Sequence, residues 1–174
     1  MALTITTTIG SASANSYASE TEFKTWTDAR LNVRAYQNAT PDERQRALLM
    51  AFDRLQREPW IGDRVTETQA AAWPRVNARK PDPVGLASSP SWGPTEILLD
   101  TYETTEIPQA IKDAQCALAL AYLDGFDEFA DRITSVSQDG LTIRKEITRP
   151  IWGLPGEVAR LIAPLRRGGS VMRA

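Results

Sequence analysis

The chain has 174 residues and a formal net charge of −2, with 20 lysine and arginine residues against 22 acidic residues. Hydrophobic residues make up 42% of the sequence and charged residues 24%, which is ordinary for one globular domain and excludes wholesale disorder. No apolar run approaches the roughly 20 residues that a membrane helix needs, and the N-terminus lacks the pattern of a secretory signal. We therefore expect no contact with a membrane.

The residue types present restrict the possible chemistry. Histidine is absent, which excludes histidine-activated nucleophiles and most zinc sites. Carboxylate-only metal sites stay open in principle, but the sequence has no clustered Asp-x-Asp pattern and no glycine-rich phosphate loop. Cys116 is the only cysteine, so an intrachain disulfide is impossible, and its apolar neighbours predict an inert buried thiol. We expect no enzyme activity, no cofactor and no metal site.

Charge is distributed unevenly along the chain. Residues 141–174 contain seven basic and two acidic residues, a net charge of +5, which leaves −7 for residues 1–140. An acidic body with a basic end is compatible with nucleic-acid contact or with docking on an acidic partner.

The N-terminal part of the chain predicts an arm followed by a helix. Residues 1–14 are rich in threonine, serine and alanine, which predicts an arm that either adds a short strand or frays. Ser19 and Glu22 form a capping box that opens a helix to about Arg30.

A second capping box begins at Thr40, with proline at the first helical position, and predicts a helix to about Arg57. Thr66 or Thr68 is a candidate cap for a short helix that ends at Trp73.

Residues 76–106 contain four prolines, two glycines and serine-rich turns. This composition predicts an inserted loop or arm, with a possible short strand over residues 97–99. Trp92 lies in this insertion and is predicted to be exposed or at an interface.

Pro108 opens the strongest helix, which extends to about Leu123 and is apolar around most of its circumference, as a central helix should be. The pair Asp139-Gly140 then lies between partly alternating runs and predicts a β-hairpin over 133–147. The hairpin is polar on both faces, so we expect it to project from the body.

A last short helix is predicted from Pro155 to Leu165, followed by a basic tail over residues 166–174. The predicted fold is mainly α: a bundle of about four helices with a β-hairpin and an extended inserted arm, in a domain that spans residues 15–165. The predicted core includes five large side chains: Trp26, Phe52, Trp73, Ile111 and Leu118.

Several short landmarks follow each other in a fixed order: Asn15-Ser16-Tyr17, Thr40-Pro41-Asp42-Glu43, Ala72-Trp73-Pro74-Arg75, Ile107-Pro108, Ala114-Gln115-Cys116 and Leu154-Pro155. This ordered set resembles the head–tail adaptors (head-completion or connector proteins) of tailed bacteriophages. Some members of that group carry the profile name "DnaT-like single-stranded-DNA-binding protein". The resemblance extends from about Asn15 to Leu165.

The resemblance implies a structural protein of the virion neck, assembled in the host cytoplasm. Such a protein docks on the portal ring as a ring of subunits, commonly a homododecamer, and extends the DNA channel. It offers a platform for the next neck or tail protein, and genomic DNA passes through without sequence-specific binding.

The resemblance also implies sites for these contacts. Because such adaptors commonly dock on the portal through their C-terminal ends, the resemblance implies that the portal-contacting residues are Arg166, Arg167, Val171, Met172 and Arg173. A solvated tail and a DNA contact are the alternatives for the same residues. The candidates for an inter-subunit or channel loop are Trp92, Asp139 and Gly140.

The alternative function is a single-stranded-DNA-binding protein of phage replication. That function favours a basic groove with interleaved aromatic side chains. Residues 1–140 are instead net acidic, and Trp152 is the only aromatic residue in the basic end. A small host or prophage regulator is a further alternative.

Overall fold

The computed structural model describes residues 3–81, 100–128 and 153–167, together with the backbone of two strands at 135–138 and 141–144. The elements, in chain order, are α1 (Glu20–Asp28), α2 (Arg34–Asn38), α3 (Pro41–Gln56), β1 (Asp63–Arg64), β2 (Arg75–Val76), α4 (Gln109–Leu123), β3 (Ser135–Gln138), β4 (Leu141–Arg144) and α5 (Gly156–Ile162), which continues as a 3₁₀ turn over Ala163–Leu165.

Both predicted capping boxes are confirmed. At the start of α1, the Glu22 amide donates to Ser19 Oγ at 3.2 Å, and the Ser19 amide donates to a Glu22 carboxylate oxygen at 2.7 Å. Thr40 and Glu43 make the same reciprocal pair at the start of α3. Each box satisfies two backbone groups that a helix end otherwise leaves unpaired, which fixes where these helices begin.

The mainly α architecture is confirmed, with α4 at its centre. This helix packs against α1, α2, α3 and α5. Seven of its residues are buried, among them Ile111 and Leu118, which are completely enclosed. Trp26, Phe52 and Trp73, the other large side chains expected in the core, are buried as well.

A buried side-chain amide joins the N-terminal segment to the bundle. Gln115 Oε1 accepts from the amides of Tyr17 and Ala18 at 2.8 and 3.0 Å. Its Nε2 donates to Ser16 Oγ at 2.8 Å and to the Leu48 carbonyl oxygen at 2.9 Å. The amide thus uses four hydrogen bonds to hold the first landmark against α3 and α4.

A second amide extends this junction to the Trp-Pro-Arg landmark. Gln56 Nε2 donates to the Tyr17 hydroxyl at 2.9 Å, and Gln56 Oε1 accepts from the Ala72 amide at 2.6 Å. Three landmarks that lie far apart in the sequence therefore meet at the buried Gln115 and the half-buried Gln56, which assigns them a structural role.

The predicted short helix before Trp73 is wrong: residues 65–73 form turns and bends. The buried Gln69 side chain explains the difference, because it takes over backbone partners that a helix would use. Its Oε1 accepts from the Thr66 amide at 3.0 Å, and its Nε2 donates to the Ala71 and Pro74 carbonyl oxygens at 2.8 and 3.1 Å.

The structure also contains α2, which local patterns did not predict. It has no side-chain cap at its N-terminus. Arg44 of α3 stabilises it from outside, because the Arg44 Nε donates to the Tyr36 carbonyl oxygen at 3.0 Å and the guanidinium stacks 4.2 Å from the Tyr36 ring centroid.

The predicted hairpin is confirmed as an antiparallel pair of strands. Ser135 pairs with Arg144 and Gln138 pairs with Leu141. Asp139 and Gly140, predicted as its turn, lie outside the described residues, as do Trp92 and the strand predicted over residues 97–99.

The N-terminal arm lies against the domain. Asn15 holds it by accepting from the Thr6 amide at 2.7 Å and donating to the Thr4 carbonyl oxygen at 2.8 Å. The Ala70 amide donates to the Ser11 carbonyl oxygen at 3.1 Å. Residues 3–14 form no strand, so the added strand is absent from this segment.

Candidate functional site

The Trp-Pro-Arg landmark forms a buried junction beside β2. Trp73 is completely enclosed, and the Trp73–Pro74 peptide bond is cis. The Trp73 ring makes edge contacts with Trp60 and Tyr102, with centroids 6.0 and 5.8 Å away. This aromatic cluster anchors the segment from which the next residue, Arg75, projects.

Arg75 binds three backbone carbonyl oxygens in two segments through its guanidinium. Its Nε, Nη1 and Nη2 donate to the carbonyl oxygens of Ile61, Ala72 and Gly62 at 2.7, 3.0 and 2.8 Å. Gly62 permits this close approach: its φ is +69°, and a Cβ atom there would lie 2.3 Å from the Val76 carbonyl oxygen. We expect any other residue at Gly62 to displace β2.

Two further arginines converge on the same place. Arg64 is the cross-strand partner of Arg75, so both side chains leave the same face of the ribbon. Arg167, from the C-terminal end, donates through Nη2 to the Gly62 carbonyl oxygen at 3.3 Å, the same oxygen that accepts from Arg75. We call Arg64, Arg75 and Arg167 the arginine edge.

The arginine edge is only partly neutralised. Asp63 lies 3.6 Å from Arg167 Nη2, and both side chains are well exposed, at 72% and 67%. Burial lowers the pKa of Arg75, Asp63 opposes this shift, and the positive charges of Arg167 and Arg64 lower it further. The guanidinium stays protonated because arginine does not lose its proton in proteins. Arg75 and Arg167 share the Gly62 carbonyl oxygen, and Arg64 beside them donates to the Gln69 carbonyl oxygen at 3.3 Å. Three neighbouring cations form a site suited to anionic groups such as phosphates.

A short antiparallel bridge closes the base of the inserted segment next to this ribbon. The Lys80 amide donates to the Asp100 carbonyl oxygen, and the Tyr102 amide donates to the Ala78 carbonyl oxygen, both at 2.9 Å. Lys80 Nζ also pairs with Asp100 at 3.1 Å, and hydrogen bonding to Asp100 raises the pKa of Lys80. Residues 80 and 100, at the two ends of the insertion, are therefore held side by side.

The two docking candidates that the structure describes, Arg166 and Arg167, lie in different surroundings. Arg166 lies inside the subunit, where its Nε is 2.7 Å from Glu58 Oε2, while Arg167 joins the arginine edge. The remaining docking candidates, Val171, Met172 and Arg173, lie outside the described residues, as do the loop candidates Trp92, Asp139 and Gly140.

Sequence reasoning missed Arg64 and Arg75 as members of a charged site. The tight turn at Gly62 could have indicated a close backbone approach beside them, but Arg167 is 105 residues away from Gly62 in the chain. No local pattern connects residues at that distance.

Other kinds of site have little support in the described structure. Across the three described ranges, no three potential ligands among His, Cys, Asp and Glu come together to hold a metal ion. Burial is the main reason that the pKa of the Cys116 thiol is raised to about 12, which disfavours thiolate chemistry. Within the same ranges, no helix has both the length and the apolar character that crossing a bilayer requires.

Comparison with known proteins gives one family. The model of the DnaT-like ssDNA-binding protein family matches residues 1–148. The chain belongs to this family. Comparisons with curated proteins and with solved structures give no match.

The family match contains most of the arginine edge. It includes Arg64 and Arg75, the base of the insertion and the hairpin, but it ends before α5 and Arg167. The family's description is the same as the profile name that some head–tail adaptors carry. The family match says nothing about a place in the virion neck.

Proposed function

We propose that this chain binds single-stranded DNA through the phosphate backbone, with the arginine edge as the contact surface. The observation that carries the proposal is the cluster of three arginines: Arg75 and Arg167 share the Gly62 carbonyl oxygen, and Arg64 is close enough for its charge to lower the pKa of Arg75. Membership in the DnaT-like ssDNA-binding family supports the choice of single-stranded DNA as the anion. Binding without catalysis is part of this proposal.

The proposed binding is weak and depends on salt. Affinity for phosphates rises with the number of cations that replace condensed counterions, and the arginine edge supplies three. Arg75 contributes mainly its charge, because its donors are occupied by backbone oxygens. The net charge of −7 on residues 1–140 opposes approach of DNA elsewhere on the body.

The proposed binding also has no base preference. Base readout by stacking needs exposed aromatic rings. The exposed large apolar side chains of the described ranges are Ile9, Leu31 and Met50, and none of them is aromatic. Contacts to phosphates position a strand without reading its sequence, so this surface would bind different sequences alike.

The first prediction tests this surface with the double substitution Arg64→Ala and Arg167→Ala. We expect weaker binding to a labelled oligothymidylate and a salt dependence reduced by roughly 1.4 in the slope of log K against log salt, about 0.7 for each lost cation. Fluorescence anisotropy over a salt series measures both quantities. Arg75 is left intact because it holds the fold.

The control removes two exposed arginines of equal charge elsewhere, Arg46→Ala with Arg57→Ala, near the two ends of α3. This variant should keep the wild-type slope. The proposal is wrong if the wild-type protein shows no binding at low salt, or if both double variants lose the same affinity.

As a second candidate, we propose a head–tail adaptor of a tailed phage, a structural protein of the virion neck. In this role the chain docks on the portal ring as a ring of twelve-fold symmetry, extends the DNA channel and receives the next neck or tail protein. Two observations favour it: the landmarks of the resemblance meet at Gln115 and Gln56, and a backbone bridge joins the two ends of the insertion. DNA would cross such a channel without sequence-specific binding.

The second prediction concerns docking through the C-terminal end. Deleting residues 168–174 should change the stability by no more than about 1 kcal/mol. The reason is that the backbone amide of Arg167 still donates its hydrogen bond to the Pro59 carbonyl oxygen. The same deletion should abolish or greatly weaken co-sedimentation with purified portal rings. The paired measurement is thermal melting and co-sedimentation.

The two candidates give separable results. Arg46→Ala with Arg57→Ala is the matched variant for the portal experiment, since it retains residues 166–174 and should bind portal like the wild-type chain. Full portal binding by the truncated chain would remove the docking role from the tail. Failure of the untruncated chain to bind portal would remove the adaptor candidate and leave the DNA experiment unaffected.

A further inference from the structure

Leu31 is unusual among the described residues because a large apolar side chain is almost fully in water, at 91% exposure. Its neighbours hold it in this position. Arg30 stacks 3.5 Å from the centroid of the Trp26 ring and donates to the Trp26 carbonyl oxygen at 3.2 Å. Asn32 has a φ of +60°, a left-handed conformation that asparagine tolerates better than most residues. The exposure of Leu31 therefore belongs to the fold of the α1–α2 connection.

A groove suited to such a side chain lies between α2, α4 and α5. It has a volume of about 180 Å³, and Asn32 is one of the residues that line it. Its rim carries two exposed acidic residues, Asp124 and Glu157. Three alanines leave room in its apolar wall, which is formed by Ala35, Ala117, Leu120, Ala121, Pro155 and Val158.

We propose that Leu31 of one copy of this chain inserts into the groove of a second copy. The Leu31 side chain matches the groove in polarity, because it is aliphatic and the groove wall is apolar, and the groove is large enough to hold it. Charge matches as well: Leu31 lies between Arg30 and Arg34, and the rim is acidic. Arg30 already lies 3.8 Å from Glu157 in its own chain, so Arg34 and Asp124 are the pair expected to meet between copies.

The arrangement of the two parts favours a second copy as the occupant. Asn32 lines the groove, so every copy carries Leu31 beside its own groove. In a pair or a ring of copies, a single kind of contact can therefore bury each Leu31 and fill each groove. This inference does not depend on DNA binding, and it shares no residue with the arginine edge.

The third prediction is that the wild-type chain associates with itself as its concentration rises, and that Leu31→Asp weakens this association. Loss of one buried leucine should weaken it by about ten-fold to a hundred-fold. Sedimentation equilibrium of the full chain over a concentration series measures the change. Leu31→Asp should melt like the wild-type protein, because Leu31 is exposed in the subunit.

A matched control is Met50→Asp on α3, which places the same charge at another exposed apolar position, 54% exposed. It should associate like the wild-type chain. A wild-type chain that stays monomeric at every concentration would overturn the proposal and assign Leu31 to a different partner. Equal association of Leu31→Asp and wild type would overturn it too.

A mixing experiment tests the contact from both sides. Ala121→Arg blocks the groove and should also lose association, but an equimolar mixture with Leu31→Asp should recover it. In the mixture, one copy supplies an intact Leu31 and the other an open groove. A mixture that stays monomeric would contradict the proposed insertion.

If Ala121→Arg fails to fold, the charge pair supplies an equivalent test. Arg34→Asp and Asp124→Arg should each weaken association. Because Arg34 and Asp124 line one surface pocket in their own chain, the two variants are mixed rather than combined in one chain. An equimolar mixture should restore association, since residue 34 of each copy then meets the opposite charge at residue 124 of the other. Absence of this rescue would likewise overturn the proposal.

Discussion

Replacing Gln115 with leucine is expected to lower the free energy of unfolding by at least about 2 kcal/mol, because two buried backbone amides lose their partners at roughly 1–3 kcal/mol each. The groups are the amides of Tyr17 and Ala18, while the Leu48 carbonyl oxygen, which lies inside α3, loses only a second donor. Leucine fills much of the same space, so the loss arises from hydrogen bonding more than from a cavity. Urea denaturation followed by circular dichroism measures it.

A matched control on the same helix is Gln109→Leu. Gln109 is exposed and bonds to Asp113 at 2.9 Å, so its replacement should change stability by no more than about 0.5 kcal/mol. Hydrogen exchange gives a second readout, since the amides of Tyr17 and Ala18 should lose protection in Gln115→Leu. Equal stability of the two variants would show that the landmark junction does not depend on Gln115.

The main helices could be predicted because their signals are local. The capping boxes at Ser19 and Thr40 satisfy their own helix ends, and Pro108 immediately precedes α4. The burial of α4 follows from its apolar circumference in the same way. These features depend on residues a few positions apart, which is the range that a sequence pattern can report.

The elements that were missed depend on contacts between distant residues. Arg44 stabilises α2 from another helix, and Gln69 replaces the predicted helix before Trp73 with side-chain hydrogen bonds. The arginine edge needs Arg167 to reach Gly62 across 105 residues. Because the fold brings these residues together, composition alone indicated only that the C-terminal end is basic.

Arg166 shows how the surroundings of a charge decide its role. The sequence assigns Arg166 to a basic tail, for which the resemblance implies portal docking and for which a solvated end and a DNA contact are the alternatives. In the structure, the Trp60–Arg166 bridge brings the C-terminal segment alongside residues 59–61, and Arg166 meets Glu58 there. An acidic residue 108 positions earlier in the chain thus engages this arginine within the subunit.

Glu58 lies at the centre of a mostly buried charge network and is only 4% exposed. Arg54 Nη1 donates to Glu58 Oε1 at 2.6 Å, and Arg54 Nε lies 2.6 Å from a Glu128 carboxylate oxygen. Arg166 Nε lies 2.7 Å from Glu58 Oε2. The two atoms form an ion pair, but the angle between them does not meet the requirement for a hydrogen bond. Two arginines therefore share Glu58, and both are only 11% exposed.

Glu58→Ala is accordingly expected to cost about 3–5 kcal/mol of stability, because it leaves two mostly buried guanidinium groups without their shared carboxylate. The control is Asp53→Ala, which removes an exposed carboxylate from α3, the helix that ends just before Glu58, and should change stability by no more than about 0.5 kcal/mol. Glu58→Gln separates charge from shape: it keeps the side-chain volume, so a large loss of stability in this variant identifies the charge as the cause.

The amide of Ile61, which donates to the Leu165 carbonyl oxygen at 3.0 Å, should exchange faster in Glu58→Ala if the network holds the C-terminal segment in place. Denaturant titration and hydrogen exchange measure the two effects, and a Glu58→Ala protein as stable as Asp53→Ala would show that water or Glu128 compensates the arginines.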